Sequence, residues 1–289
     1  MNDIKVINID NIPVWNKNTL KFEKEIYSDK YKGEIYCIKI EEPEQLKELF
    51  EYIFKQEENK TVQFFYRGHR DSNWRLTSSL EREIYKKVKI VVDQERYNKI
   101  RNDHLEKFKE NGKIWLKDQN LVNDERELWA IGQHLGLKTP YIDWTRNFYN
   151  ALFFAFEKFD TNVKYRAVYS FSHHLFKDDE LIIPKTDYYR RLTAQQGVFT
   201  EWGFDSRITE KLNALEKYIE NNADLQKKEQ YERHKNKLAT KFYIANSLRD
   251  DVISHLKHIG IDHSTIYPDL MGAISLANDE LSYMLENMK

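Results

Sequence analysis

The residues best suited to chemistry fall in a few short polar segments at the ends of apolar runs. The first of these, Tyr66 to Arg70, closes a predicted strand. An arginine at a strand end can make a planar, two-pronged contact with a phosphate or a carboxylate, and the neighbouring Gly68 would let a ligand approach the backbone. The alternative is that Arg67 is buried and paired with a carboxylate inside the fold.

A second polar stretch, residues 74–82, has the pattern of a loop that leads into a helix. Thr77 or Ser78 can cap this helix, and Glu81 can complete a capping box. Such a cap is the simplest interpretation of these side chains. If the N-terminus of the helix faces Arg67, however, it would also favour an anion.

Residues 143–146 form the densest polar cluster, with a carboxylate, an indole, a hydroxyl and a cation at the junction of a strand and a helix. Asp143 or Thr145 can cap the helix, and Trp144 can belong to the core. Capping and packing explain one or two of these residues, but hardly all four. A binding or catalytic role is therefore a real alternative for this cluster.

Amide and imidazole side chains mark three other places. His134 lies in the last turn of a predicted helix, where a histidine is favoured electrostatically whatever its function. Gln195 and Gln196 precede a glycine and an apolar run, which is unusual if only packing matters. His173 and His174 are adjacent on a predicted strand and so point to opposite faces, which makes them a poor shared metal site. We expect no metal cofactor.

These residues must be positioned by elements that the apolar pattern predicts. The fold class is α+β, a mixed β-sheet core with surrounding helices and a helical C-terminal part. The charged region from Glu81 to Lys117 is expected to be a solvated helical insertion on the surface. Predicted strands cover 35–40, 62–66, 139–143, 166–171 and 197–199, and predicted helices begin at Pro43 and cover 127–135, 148–159, a segment from 208 to 219 and 248–259.

The composition narrows the class of protein. The chain has 289 residues, with 46 Lys and Arg against 47 Asp and Glu, a net charge of -1 and a single cysteine, Cys37. This excludes a disulfide framework and disfavours a protein that coats nucleic acid or anionic lipid. No segment has the roughly 20 apolar residues of a membrane span, and no P-loop, HExxH or GxSxG motif occurs. We expect a soluble cytoplasmic protein.

Taken together, the motifs resemble the FRG domain family, which is named for a Phe/Tyr-Arg-Gly motif. Several motifs occur in the family's order, so the resemblance is specific, and it covers about residues 45 to 275. It implies an N-terminal extension over 1–40 and an FRG-type domain over 41–289, with a charged helical insertion near 81–120 and a helical subdomain from about 205. The matching segments are 66–68, 74–82, 133–140, 143–145, 151–155, 195–199 and 260–272.

The order of the motifs is also similar, more distantly, to that of ADP-ribosyltransferases. This resemblance implies a nucleotide pocket for NAD as substrate, in a possible bacterial toxin or phage-defence effector. Arg67 would hold the NAD phosphates or ribose, Trp144 would stack on a ring, and Thr145 would take the hydroxyl position. The residues implied in binding are Tyr66, Arg67, Gly68 and Trp144, and those implied in catalysis are Arg67, His134, Asp143, Thr145 and Gln196.

The resemblance places Gln196 where ADP-ribosyltransferases have a strand with a catalytic glutamate, and here this chain departs from the pattern. Cleavage of the nicotinamide–ribose bond creates an oxocarbenium-like centre, which a carboxylate on the 2-hydroxyl stabilises. Gln196 is neutral, and Glu201 lies an odd number of residues away, so on a continuous strand it would face away. Asp143 can supply the carboxylate instead. Either the chemistry is rearranged or the site binds a nucleotide without cleaving it.

Two other classes of protein remain open. One is a non-enzymatic module that binds a nucleotide or a nucleic acid end, and the other is a structural protein that binds a protein partner. The first requires several arginines to converge with aromatic rings on one face. The macromolecular target can thus be either a protein or a nucleic acid, and no membrane partner is expected. The arginines concerned are Arg67, Arg70, Arg75, Arg82 and Arg146.

Overall fold

The computed structural model describes residues 9–26, 34–58, 62–88, 90, 92–116, 118–187, 190–202, 208–286 and 288. The chain divides into two compact units. Unit 1 combines residues 1–74, 145–176 and 207–289, and unit 2 combines residues 75–144 and 177–206. Each unit is thus assembled from segments that are distant in sequence.

The chain combines helices with strands that pair in both parallel and antiparallel fashion, which confirms the predicted α+β class. The strands are β1 (Glu23–Ile26), β2 (Glu34–Ile40), β3 (Phe64–His69), β4 (Tyr141–Thr145), β5 (Tyr165–Ser172), β6 (Leu181–Ile182), β7 (Gly197–Glu201) and β8 (Ala239–Ala245). The helices are α1 (Pro43–Glu57), α2 (Ser79–Lys87), α3 (Gln94–Gly112), α4 (Glu125–His134), α5 (Phe148–Phe156), α6 (Arg191–Gln195), α7 (Ile208–Asn222), α8 (Leu225–Leu238), α9 (Arg249–His258), α10 (His263–Ile266) and α11 (Leu270–Glu286).

Unit 1 is built on a mixed sheet with the strand order β1-β2-β8-β5-β3. Strands β2 and β8 are parallel, and the other neighbours in this order are antiparallel. Helix α5 packs on one face of the sheet, where Tyr66, Val168 and Phe242 join its apolar side chains in one buried cluster. Since α5 is apolar on nearly all sides, its burial was predictable, and the structure confirms it.

Two parts of unit 1 differ from the sequence-based expectation. The helical C-terminal part contains β8, a strand that the pattern did not predict, in the interior of the sheet between β2 and β5. All seven residues of β8 are buried, so the strand has no solvent-exposed face and no clear alternation to reveal it. Residues 34–40, assigned to an N-terminal extension, form β2 and belong to the sheet.

Unit 2 has its own buried clusters. Strand β7 pairs with β6 in antiparallel fashion and lies beside β4. Helix α2 begins with the expected capping box, in which Ser78 accepts from the Glu81 amide and Glu81 accepts from the Ser78 amide. Tyr97 and Leu105 of α3 are buried, so the charged region expected to be a solvated insertion contributes to the core of unit 2.

Helix ends near the predicted site residues follow local rules. Helix α4 ends at His134, and Gly136 after it has a φ of +94°, which confirms the predicted glycine stop. The cap of α5 is Asn147, whose side chain accepts from the amides of Tyr149 and Asn150. Asp143 and Thr145, proposed as caps, lie within β4. Among the described residues, the helices include none that is long and apolar enough to cross a membrane.

Candidate functional site

Arg67 lies within β3, and the strand continues to His69. Since side chains alternate along a strand, Arg67 and His69 share the face that points away from α5. Arg67 Nε donates a hydrogen bond to His69 Nε2 at 3.0 Å. This bond orients the guanidinium plane and requires an unprotonated Nε2 on the imidazole. His69 is buried, whereas Arg67 is partly exposed.

The next two strands extend this arrangement. Arg67 pairs with Tyr169 of β5, and Tyr169 pairs with Lys241 of β8. Lys241 is only 2% exposed, and its Nζ lies 5.3 Å from the ring centre of Tyr169 and 4.3 Å from that of Tyr243. The His69 ring meets Tyr169 edge-on at 5.1 Å. We call Arg67, His69, Tyr169 and Lys241 the β3 cation cluster, because it combines an arginine and a lysine with aromatic rings.

Tyr66 and Gly68, the neighbours of Arg67, face α5. Tyr66 is fully buried and donates a hydrogen bond to Glu57 at 2.8 Å. Burial, with Glu57 as the next cause, raises the pKa of Tyr66. A Cβ added to Gly68 would lie 1.9 Å from the carbonyl oxygen of Ala151 and 2.8 Å from the amide nitrogen of Ala155. This glycine therefore allows the close approach of helix α5, where the sequence suggested the approach of a ligand.

Asp143 in unit 2 is exposed on β4, and a chain of hydrogen bonds orients its carboxylate. The Thr139 hydroxyl donates to Gln133 Oε1, and Gln133 Nε2 donates to Asp143 Oδ1 at 2.6 Å. This order of donors fixes which way the Gln133 amide points. A carboxylate held in this way can accept a hydrogen bond or a proton from a ligand hydroxyl.

His134 lies beside Gln133 at the end of α4. Its Nδ1 is 2.8 Å from the carbonyl oxygen of Ala130, so Nδ1 carries the proton and Nε2 is the acceptor of the neutral ring. The ring packs edge-on against Phe199 at 5.5 Å. Nearby, burial opposes ionisation of Asp187, but hydrogen bonds from Thr193 and Leu192 hold the Asp187 pKa below its ordinary value.

The remaining predicted site residues are placed as follows. Trp144 is 3% exposed, and its Nε1 donates to Thr200 Oγ1 at 2.9 Å. Thr145 is buried in unit 1, pairs with Tyr66 and accepts from the Asn147 amide at 3.1 Å. Gln196 is exposed and adopts a left-handed conformation, with a φ of 49°, where α6 meets β7.

Unit 1 thus holds Tyr66, Arg67, Gly68 and Thr145, and unit 2 holds His134, Asp143, Trp144 and Gln196. Within unit 2, Asp143 and His134 both lie next to Gln133. Binding of one ligand by the whole set stays a prediction, as does the convergence of the five arginines, of which Arg75 and Arg82 belong to unit 2.

Some contacts could not be read from the sequence. Glu201 pairs with Arg101 through two hydrogen bonds of 2.7 and 3.2 Å, and this partner comes from α3. Lys241 lies on the strand that was not predicted. His69 carried a signal, because it follows Arg67 by two residues and so shares its face.

His173 and His174 lie at the surface, His174 being exposed, but the prediction that they lie on a strand was wrong. They belong to a short 3-10 helix after β5, and their ring centres are 3.9 Å apart, so they do not point to opposite faces. Burial, and then the charge of His173, lowers the pKa of His174. In the part of the chain that the structure describes, no group of three or more His, Cys, Asp or Glu side chains could hold a metal ion.

Comparison with known families agrees with the motifs around Arg67. Residues 62–164 match the FRG domain. The matched range begins just before β3 and includes β4 and α5, so it contains Arg67, His134 and Asp143. The searches of curated proteins and of solved structures gave no match. The FRG assignment therefore rests on this segment of the chain, and Gln196 and Lys241 lie beyond it.

Proposed function

We propose that this FRG-domain protein binds a nucleotide, with NAD as the leading candidate, and that Arg67 holds its phosphate groups. The observation that carries the proposal is the Arg67–His69 hydrogen bond of 3.0 Å on β3. Because that bond uses Nε, the planar guanidinium keeps a set orientation, and its terminal nitrogens are the donors suited to two phosphate oxygens.

The neighbours of Arg67 support an anionic ligand with a ring. Lys241 lies two strands away, about 10 Å, and its ammonium form adds to the positive potential at Arg67. Trp74 is 44% exposed, and its ring centre is 6.2 Å from that of His69. An exposed indole beside the β3 cation cluster is a surface on which a base can stack.

Titration calorimetry with NAD tests this proposal. Arg67→Gln removes both the positive charge and the two-pronged hydrogen-bond donor. Arg67→Lys keeps the charge and removes only the two-pronged donor. A charge-assisted hydrogen bond contributes roughly 1.5–3 kcal/mol, so Arg67→Gln should weaken NAD binding by about 10- to 150-fold. Arg67→Lys should recover part of this loss. The matched control is Arg75→Gln, which removes an exposed arginine and should bind like the wild type.

Absence of NAD binding by the wild-type chain would refute the proposal, as would equal affinities of wild type and Arg67→Gln. A steep salt dependence of oligonucleotide binding, with no NAD binding, would favour the nucleic-acid module instead.

A second candidate function is ADP-ribosyl transfer, and the observation that favours it is the oriented carboxylate of Asp143. In this reaction the C–N bond between nicotinamide and ribose breaks, and nicotinamide leaves with the electron pair. A nucleophile of the target then bonds to the ribose carbon and loses its proton. A carboxylate that accepts the 2-hydroxyl hydrogen stabilises the developing positive charge. Asp143 has the charge that Gln196 lacks.

Transfer is tested with labelled NAD and a cell lysate. Asp143→Asn keeps the size and most hydrogen bonds of the side chain but removes its charge, so label transfer should fall by at least 100-fold. The control is Asp103→Asn, which alters an exposed carboxylate on α3. Label transfer that persists in Asp143→Asn would exclude this role. The effector role implied by the resemblance predicts that expression is toxic and that Asp143→Asn relieves toxicity.

A further inference from the structure

Three arginines meet in unit 1 at the carboxyl end of α5. Arg166 of β5 is 0% exposed, and the side chain of Arg249, the first residue of α9, is 16% exposed. Arg70 follows β3 directly, and because His69 pairs with Ala167, it comes next to Arg166 across the sheet. Burial, and then the charges of Arg249 and Arg70, lower the pKa of Arg166 to about 10. We call these three residues the arginine triad.

The protein satisfies only part of the hydrogen-bonding capacity of Arg166. Its Nε donates to Asn246 Oδ1 at 2.6 Å, and its Nη1 donates to the carbonyl oxygen of Ala155 at 2.6 Å. The second bond places a cation at the carboxyl end of a helix, which is a structural role. Nη2, however, is buried and has no hydrogen-bond partner among the described residues. A buried donor without an acceptor requires a further explanation.

Arg249 repeats this pattern. Its Nη2 makes one long hydrogen bond, of 3.4 Å, to the carbonyl oxygen of Glu157. Its Nε is buried, and no described residue accepts from it. The rings of Phe159 and Tyr283 lie 5.5 and 5.7 Å from the guanidinium carbon and hold the side chain in place. Arg249 is therefore also held in a fixed position while its Nε donor has no acceptor among the described residues.

Glu157 and Asp160 lie near enough to the triad to act on it electrostatically, but its close ion pairs are few. Within the described part of the chain, neither Arg70 nor Arg166 has a carboxylate within 4.0 Å of its guanidinium. The partner of Arg249 is Asp250, at 3.6 Å, and its side chain is 77% exposed. Buried charges are normally paired, because desolvation without a counter-ion is costly. Guanidinium groups whose N–H donors have no acceptor in the described part of the protein match the oxygens and the charge of a phosphate group.

We propose that the arginine triad is a second anion site, which binds the phosphate group of a small molecule. Its buried member Arg166 points to the α5 face of the sheet, whereas Arg67 of the β3 cation cluster points away from it. Arg70 is the partly exposed member and stacks on the exposed Trp74, with its guanidinium carbon 5.2 Å from the ring. In the proposed site the phosphate accepts the remaining donors of Arg166 and Arg249, with Arg70 at its partly exposed edge.

Thermal unfolding of the whole chain in phosphate tests the site, with sodium chloride at equal ionic strength as the reference. Inorganic phosphate should raise the Tm in a saturable way. Arg70→Gln changes a partly exposed side chain and should raise the midpoint phosphate concentration at least tenfold. Arg249→Lys, which keeps the charge and loses the two-pronged donor, should also raise it. The exposed control Arg75→Gln should behave like the wild type.

Arg166 is left unchanged in this experiment, because its substitution would also remove the hydrogen bond that supports the end of α5. A wild-type response to phosphate no larger than the response to chloride would overturn the proposal. So would a saturable response that Arg70→Gln leaves unchanged. A parallel titration with AMP distinguishes the sources of the phosphate group: a lower midpoint for AMP than for phosphate indicates a nucleoside monophosphate, and the reverse order indicates free phosphate.

Discussion

Replacement of Gly68 by alanine tests whether this residue serves the packing of β3 against α5. The added Cβ would lie 1.9 Å from the carbonyl oxygen of Ala151, whereas ordinary contacts are 3.4 Å or longer. Both the oxygen and the nearby Ala155 nitrogen are backbone atoms, so no side-chain rotation relieves the clash. Strand and helix must therefore separate by about 1.5 Å, and contacts opened by even 0.5–1 Å lose a quarter to a half of their dispersion energy.

The expected cost of Gly68→Ala follows from this separation. Overpacking of a core costs about 1–3 kcal/mol, and more where the backbone has to move. Since the clash here involves backbone on both sides, we expect a loss of about 3–5 kcal/mol in the free energy of unfolding. For domains of 150–250 residues this corresponds to a fall in Tm of about 6–20 °C.

Urea and thermal unfolding, followed by circular dichroism, measure this loss. The matched control is Gly136→Ala in unit 2, where a Cβ would have no atom within 4 Å and only the φ of +94° is unfavourable. Its cost should be about 1–2 kcal/mol. If Gly68→Ala destabilises the protein no more than Gly136→Ala, the glycine does not serve the contact with α5, and a direct role in ligand binding regains support.

Two further predictions concern stability. Ser78→Ala removes the cap of α2 and should lower the free energy of unfolding in urea by about 1 kcal/mol. Ser78→Thr keeps a hydroxyl at this position and should retain most of that stabilisation. Equal stability of Ser78→Ala and wild type would contradict the capping box. Burial raises the pKa of Glu157 despite its hydrogen bond from Tyr267. A raised folded-state pKa gives a stabilising contribution that is present below the ordinary value and is lost as pH rises through the folded value. Between pH 4.5 and 7, the Tm of Glu157→Gln should therefore fall less with pH than that of wild type, and parallel curves would contradict the shift.

The parts of the fold that could be predicted are those that local sequence determines. The cap formed by Ser78 and Glu81 and the stop at Gly136 each depend on residues within one helical turn, so their types and spacing suffice. The cap of α5 was misplaced because β4 continues through Thr145, and the length of a strand depends on its neighbours in the sheet. Asn147 is then the first residue free to cap.

The parts that could not be predicted depend on distant residues. Strand β8 is buried on both faces and contains Lys241, so neither alternation nor hydropathy marks it as an inner strand. Gln133 and Asp143 are near in sequence, but only the packing of α4 beside β4 makes the amide a donor to the carboxylate. The sequence indicated that some group approaches the backbone closely at Gly68. That this group is helix α5 depends on the tertiary structure and could not be predicted.

The central claim is that Arg67 contacts the phosphate groups of a bound nucleotide. The ³¹P NMR spectrum of NAD reports on those groups directly. With the wild-type chain, the pyrophosphate resonances should shift and broaden, and Arg67→Gln should return them towards their free positions while Arg75→Gln leaves them bound. Resonances that stay at their free positions with the wild type, or that shift equally with Arg67→Gln, would contradict the claim.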